Sequence, residues 1–236
     1  GRPLAEPPVQ ELAKLLVHMG AKIRWADIGV IEIEGVNKLS GAHFRINPDE
    51  LEVSGFATLA AATRSSVLLR DVEFKYLDAV LLHLDKMGIL YQKEGRALYI
   101  KETSKPYRAF RVQSGLYPKL VSDHLPPFAV LATQARGDSL IHEWLYEGRL
   151  KYIEELQKMG AKAKLLDPHR ALITGPTPLH GTKIASLDIR SGLTLIIAAL
   201  SAEGETRISN IGHIDRGYEN IEGRLQRLGA DIKRIN

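Results

Sequence analysis

Three aspartates and three arginines carry the chemistry that this sequence offers. Asp49, Asp123 and Asp188 stand in Asn47-Pro48-Asp49, Val121-Ser122-Asp123-His124 and Ser186-Leu187-Asp188-Ile189-Arg190, each just ahead of an Ala/Leu-rich stretch. An Asp there is first of all a helix N-cap, accepting from backbone N–H groups that have no partner within the helix. Three of them at one position of a repeat would converge, and convergent carboxylates at a cleft are what general acid–base work requires. Arg149 follows Tyr146-Glu147-Gly148 and is expected to open a surface helix. Arg216 is expected to open the corresponding helix one unit later, with Asp215 as a cap beside it, and Arg190 to open a buried helix. Guanidinium groups next to helix N-termini suit phosphate and carboxylate, because backbone N–H groups and the guanidinium fork act together. A single such Arg is worth little beyond a surface ion pair; three in repeated positions favour an anion site. The eight His show no metal-ligand spacing, and there is no cysteine, no Gly-rich phosphate loop and no support for a serine triad.

A repeat must position these residues. LVHMGAKI, LDKMGILY, LQKMGAKA and LQRLGADI share one helix-end signature, with glycines at Gly20, Gly88, Gly160 and Gly229, about seventy residues apart. Gly at that point takes the left-handed conformation that ends a helix. Each interval also holds an apolar helix expected to be buried, over residues 50–63, 124–136 and 189–202. The helices ending at the glycines carry Lys, Glu and Arg and are expected on the surface. Short β-rich runs lie between them at 66–69, 97–100, 110–113, 139–142, 171–174 and 206–209. The fold class is therefore α/β, with sheets packed around central helices. Residues 1–47 read as the remnant of one domain and 48–236 as a second, with units near 48–117, 118–187 and 188–236, the last incomplete after a strand at Asp231–Ile235. That cut predicts an open sheet edge, to be filled by residues 21–33 folding back or by a second copy of the chain.

Composition narrows the function classes. The chain has 236 residues, enough for a large core, and no apolar run approaching the length of a membrane span. Nor is there a secretory signal pattern. A net charge of +4 without a long basic run fits an anionic small molecule rather than nucleic acid. The chain begins at Gly1, and GRPLAEPP reads as an entry loop, so a piece of a longer polypeptide, or a tagged or processed one, is expected.

The blocks IEGVNKLSGAHFRINPDELE, SDHLPPF, YEGRLKYIEELQKMGAKA, LDIRSGLTLIIAAL and HIDRGYENIEGRLQRLGADIKRI together resemble the latter half of the UDP-N-acetylglucosamine enolpyruvyl transferase family. The resemblance implies an inside-out α/β barrel of six units in two domains. It implies transfer of the enolpyruvyl group of phosphoenolpyruvate to the 3′-hydroxyl of UDP-N-acetylglucosamine, the first committed step of peptidoglycan synthesis, in the cytoplasm and without metal or cofactor. On the same grounds, Asp123 matches the base at the sugar hydroxyl, and Asp188 with Arg190 an acid–base and anion pair. Arg149 and Arg216 match residues that grip phosphoenolpyruvate, Leu145 a backbone contact to the sugar nucleotide, Tyr146 an aromatic beside the sugar, and Asp49 an interdomain aspartate. A lysine and a loop bearing a cysteine or aspartate acid belong to the family's front part, which has no counterpart here. The chain departs from the family at Val121–Pro127 and at Glu50, where the family usually has Arg. A different acceptor, or a non-catalytic half-protein of the same fold, are the alternatives.

Overall fold

The computed structural model describes residues 6–27 and 29–235. Helix α1 (Pro7–His18) leads into a hairpin, β1 (Lys22–Asp27) and β2 (Val30–Glu34). Its register sets Lys22 against Glu34 and Arg24 against Glu32 on one face, with Ile23 against Ile33 and Trp25 against Ile31 on the other. Cross-strand pairs of this kind hold the two strands in register. Among the described residues it pairs with no other strand, so the expectation that residues 21–33 fold back onto an open edge is not met.

One order of elements then recurs. The first pass is α2 (Glu50–Ala62), β3 (Val67–Leu69), α3 (Asp78–Met87), β4 (Tyr91–Glu94), β5 (Ala97–Ile100), β6 (Tyr107–Arg108) and β7 (Arg111–Gln113). The second is α4 (Pro126–Gln134), β8 (Ala135–His142), α5 (Tyr152–Lys158), β9 (Lys162–Asp167), β10 (Arg170–Gly175) and β11 (Lys183–Ala185). The third is α6 (Ile189–Leu200), β12 (Arg207–Ser209), α7 (Gly212–Asp215) and α8 (Ile221–Arg227). The signature glycines Gly20, Gly88, Gly160 and Gly229 all have φ between 81° and 97°, as a left-handed helix stop requires.

The apolar helices α2, α4 and α6 meet in the core, and every residue of α4 except Gln134 is buried. A Cβ on Gly55 would come within 2.3 Å of Leu193 Cδ2, so glycine there lets α2 and α6 approach closely. Three sheets surround them. One is antiparallel, in the order β3-β5-β4. In the second, β6 and β7 run parallel to successive stretches of β8, which pairs antiparallel with β10 and through it with β9. The third is the parallel pair β11-β12. Each closing strand thus seats beside the first strand of the next pass, whereas β3 has no parallel neighbour among the described residues. Arg224 on α8 ties the last pass to the first, donating to both carboxylate oxygens of Glu52 at 2.6 and 2.7 Å.

The six β-rich runs all fall within a residue of observed strands. The strand expected at Asp231–Ile235 is absent. Its counterpart β9 is held by β10, and among the described residues no strand offers residues 231–235 such a ladder. Helix α4 is also shorter than expected: Pro126 and Pro127 set its start, and Ala135 turns extended into β8. No helix among the described residues is long and apolar enough to cross a membrane.

His124 sits directly before α4, buried, with Nδ1 2.6 Å from Ser54 Oγ on α2. Burial pushes its pKa down from 6.5 to about 4, against the pull of Asp123. The unfolded chain therefore takes up a proton that the folded chain refuses. This contribution to stability is complete above pH 6.5 and is lost as pH falls towards about 4, by about 3 kcal/mol. Burial also lowers the pKa of His83, which acts in the same direction. Urea melts at pH 7 and 4.5 are expected to show a smaller acid loss in His124→Met than in the parent; parallel losses would contradict this.

Candidate functional site

Asp123 lies in a single 3₁₀ turn, Ser122–His124, immediately before α4. It is not a cap: α4 has no side-chain cap, and its first residues, Pro126 and Pro127, have no N–H for one to satisfy. Instead its carboxylate is met by two guanidinium groups. Arg149 Nη1 donates to Oδ1 at 3.1 Å, and Arg190 Nε donates to the same oxygen. The three side chains are each 27–36% exposed, so solvent reaches the cluster.

The other two aspartates are caps. Asp188 Oδ1 accepts from Arg190 N and Ser191 N, both at 2.8 Å, while Ser191 Oγ accepts from Asp188 N at 3.0 Å. This is a complete capping box. It occupies the first amides of α6, so the capacity for an anion there rests on side chains. Asp49 Oδ1 accepts from Leu51 N at 2.8 Å and caps α2.

Arg149 was expected to open a surface helix; it lies in the turn before α5. Its guanidinium stacks 3.6 Å above the Tyr146 ring and donates a second bond, to Ser122 Oγ at 3.0 Å. The N–H groups of Leu145 and Tyr146 both donate to Glu143 Oε1, at 2.9 and 3.2 Å. Burial opposes the charge on Arg190, but Asp123 and Asp188 outweigh it and raise its pKa above the arginine norm.

Arg216 likewise ends α7 rather than starting α8. It is exposed, and among the described residues it has no ion pair. The turn carrying it presses on the start of α6: a Cβ on Gly217 would lie 2.5 Å from Ile189 Cγ2. Asp215 is no cap. Its carboxylate takes both terminal nitrogens of Arg234, at 2.9 and 2.7 Å.

Asp123, Arg149, Arg190 and Asp188 therefore come together with Tyr146 and Leu145. A cavity of about 10 Å³ behind them, lined by Ser122, Glu143, Tyr152 and Asp188 among others, has room for one water at most. Asp49 lines a separate depression with Glu52 and Arg224. Tyr218 links the two regions: burial raises its pKa, and the carboxylates of Asp49, Glu52 and Asp123 add to the effect, so it stays a neutral phenol. Ser122, Glu143 and Tyr218 were not singled out from sequence. Only their closeness along the chain to Asp123, Tyr146 and Arg216 could have drawn attention to them. Chemically, two cations clasping one partly exposed carboxylate form an anion site filled by the protein's own anion.

Known proteins share this arrangement of chain. The family model described as EPSP synthase (3-phosphoshikimate 1-carboxyvinyltransferase) matches residues 2–225. A UDP-N-acetylglucosamine 1-carboxyvinyltransferase of Treponema denticola is 40% identical over 97% of the chain, and one of Bacteroides fragilis 40% over 98%. The chain spans 55% of each of these relatives, about half their length. Among solved structures, the enolpyruvyl transferase NikO from Streptomyces tendae superposes with a TM-score of 0.86 at 27% identity, over 98% of this chain and 55% of that one. EPSP synthase from Acinetobacter baumannii, at 18% identity and a TM-score of 0.69 over 97% of this chain and 55% of its own, shares the fold.

Proposed function

Because this chain belongs to the EPSP synthase family of carboxyvinyl transferases, we propose that it forms one wall of a site that transfers the enolpyruvyl group of phosphoenolpyruvate to the 3′-hydroxyl of UDP-N-acetylglucosamine, as the first committed step of peptidoglycan synthesis in the cytoplasm. The observation that carries this reading is the clasp of Arg149 and Arg190 on Asp123. Phosphoenolpyruvate brings a carboxylate and a phosphate, and guanidinium forks match both. Its arrival moves Arg149 and Arg190 from Asp123 onto the substrate, with Arg216 as a third contact. Asp123 is then released to face the sugar hydroxyl.

Asp123 takes the hydroxyl proton as the oxygen bonds to C2 of phosphoenolpyruvate, while C3 gains a proton from an acid in the part of the relatives' length that the chain does not span. The conjugate base of that acid then takes a proton back from C3, which expels inorganic phosphate and restores the double bond. Positive charge developing at C2 is stabilised by the free oxygen of Asp188, whose other oxygen the cap holds in place. Tyr146 and Leu145, fixed through their amides, lie beside the sugar nucleotide; their internal bonds leave the Leu145 carbonyl as the backbone contact. Asp49 is assigned to the contact between domains.

The test is phosphate release from phosphoenolpyruvate by the full polypeptide that the gene encodes, with UDP-N-acetylglucosamine or shikimate 3-phosphate as acceptor. Release only with the sugar nucleotide is expected. A folded protein that releases phosphate with neither acceptor overturns the reading, and release only with shikimate 3-phosphate overturns the acceptor.

A further inference from the structure

Glu143 is a buried carboxylate, 1% exposed, at the end of β8. A charge so placed needs several donors or a cation. Here the donors are neutral: Ser114 Oγ at 2.9 Å, the N–H groups of Leu145 and Tyr146, and Ser122 Oγ. Three of the four converge on Oε1, and Ser122 alone reaches Oε2.

The bond to Ser122 has a directional consequence. A serine hydroxyl has one proton and two lone pairs. Glu143 takes that proton, so Ser122 Oγ can only accept from its other neighbour, and that neighbour is Arg149 Nη1 at 3.0 Å. Glu143 thus sets the polarity of a chain running from carboxylate to hydroxyl to guanidinium. The same carboxylate fixes the amides of Leu145 and Tyr146, and the Tyr146 ring supports the Arg149 guanidinium at 3.6 Å. Arg149 is held from two sides by one buried group that it does not touch.

We infer that Glu143 is a positioning residue for Arg149, aiming its guanidinium at the bound anion through Ser122 and Tyr146. This rests on the functional reading above only in naming phosphoenolpyruvate as the anion.

Glu143→Gln is the informative change, because it keeps shape while reversing one bond. The amide carbonyl stays with the three donors at Oε1, which leaves the NH₂ group facing Ser122. That NH₂ now donates to the second lone pair of Ser122 Oγ, so the serine proton loses the acceptor that held it away from Arg149 and is free to turn towards that guanidinium, donor against donor. Removing the hydroxyl in the double variant E143Q/S122A removes that conflict.

The experiment is calorimetric titration of phosphoenolpyruvate into the full polypeptide, with thermal melts alongside. E143Q is expected to weaken binding about tenfold, as for loss of one charge-assisted hydrogen bond, with Tm little changed. E143Q/S122A is expected to bind several-fold more tightly than E143Q. Binding by E143Q equal to the parent, or a double variant weaker than E143Q, overturns the proposal. If E143Q does not fold, S122A alone is read instead: weaker binding supports the proposal and parental binding overturns it. If the parent itself does not bind phosphoenolpyruvate, the functional reading fails and Glu143 is judged by NMR of the Arg149 side chain. Faster exchange of its Nη1 hydrogens in E143Q, or in S122A if E143Q does not fold, then supports positioning, and unchanged exchange overturns it.

Discussion

Replacing Asp123 with Asn is expected to lower turnover about a thousandfold, within the range for loss of a general base, while tightening the binding of phosphoenolpyruvate. The two effects have opposite signs for one physical reason. The Asp123 carboxylate occupies Arg149 and Arg190, so an incoming anion has to displace it. Asn removes the competing charge, leaving Arg149 without an ion pair among the described residues and Arg190 with only the nearby charge of Asp188, which favours the substrate anion. It also removes the group that accepts the hydroxyl proton. Stability should change by only about 1 kcal/mol, because all three side chains are partly exposed and their ion pairs are screened. Phosphate-release kinetics and calorimetry on the same preparation check both halves. Unchanged turnover, or weaker binding, would contradict the assignment of Asp123.

Phe128→Ala is expected to destabilise the protein by about 3–5 kcal/mol, a large part of the stability of an ordinary domain. Phe128 is fully buried in α4, edge-on to Phe110 at 6.0 Å and to His83 at 5.7 Å. It therefore joins the central helix both to the segment that runs into β7 and to α3. The turn holding Asp123 leads directly into the same helix, so the loss should also disorder the site. Urea denaturation measures the change. Leu68→Ala, on the exposed face of β3, is the contrast and should shift stability by no more than about 0.5 kcal/mol.

Much of the architecture was legible because it is written in local patterns. A glycine in the left-handed conformation after an amphipathic run stops a helix by local geometry, and all four signature glycines do so. The apolar helices α2, α4 and α6 could be read from composition. The strand expected at Asp231–Ile235 could not be settled that way, because a strand exists only in a ladder with a neighbour. The aspartates show where the site was half legible. All three precede a buried helix, but Pro126 and Pro127 remove the amides that a cap would serve, which leaves Asp123 to the arginines while Asp49 and Asp188 cap. Asp215 had the sequence of a cap and found Arg234 nineteen residues on. Glu143 was invisible for the same kind of reason. Its partners Ser114 and Ser122 lie 29 and 21 residues away, and Ser114 is brought to it by the parallel pairing of β7 with β8.

The measurement closest to the central claim is a crystal structure of the full polypeptide with phosphoenolpyruvate and a non-reacting analogue of the sugar nucleotide. The guanidinium groups of Arg149 and Arg190 are expected to have left Asp123 for the carboxylate and phosphate of phosphoenolpyruvate, with Arg216 beside them. The Asp123 carboxylate is expected within about 2.6–3.2 Å of the position of the acceptor hydroxyl. Phosphoenolpyruvate bound elsewhere, with both arginines still on Asp123, would contradict the account.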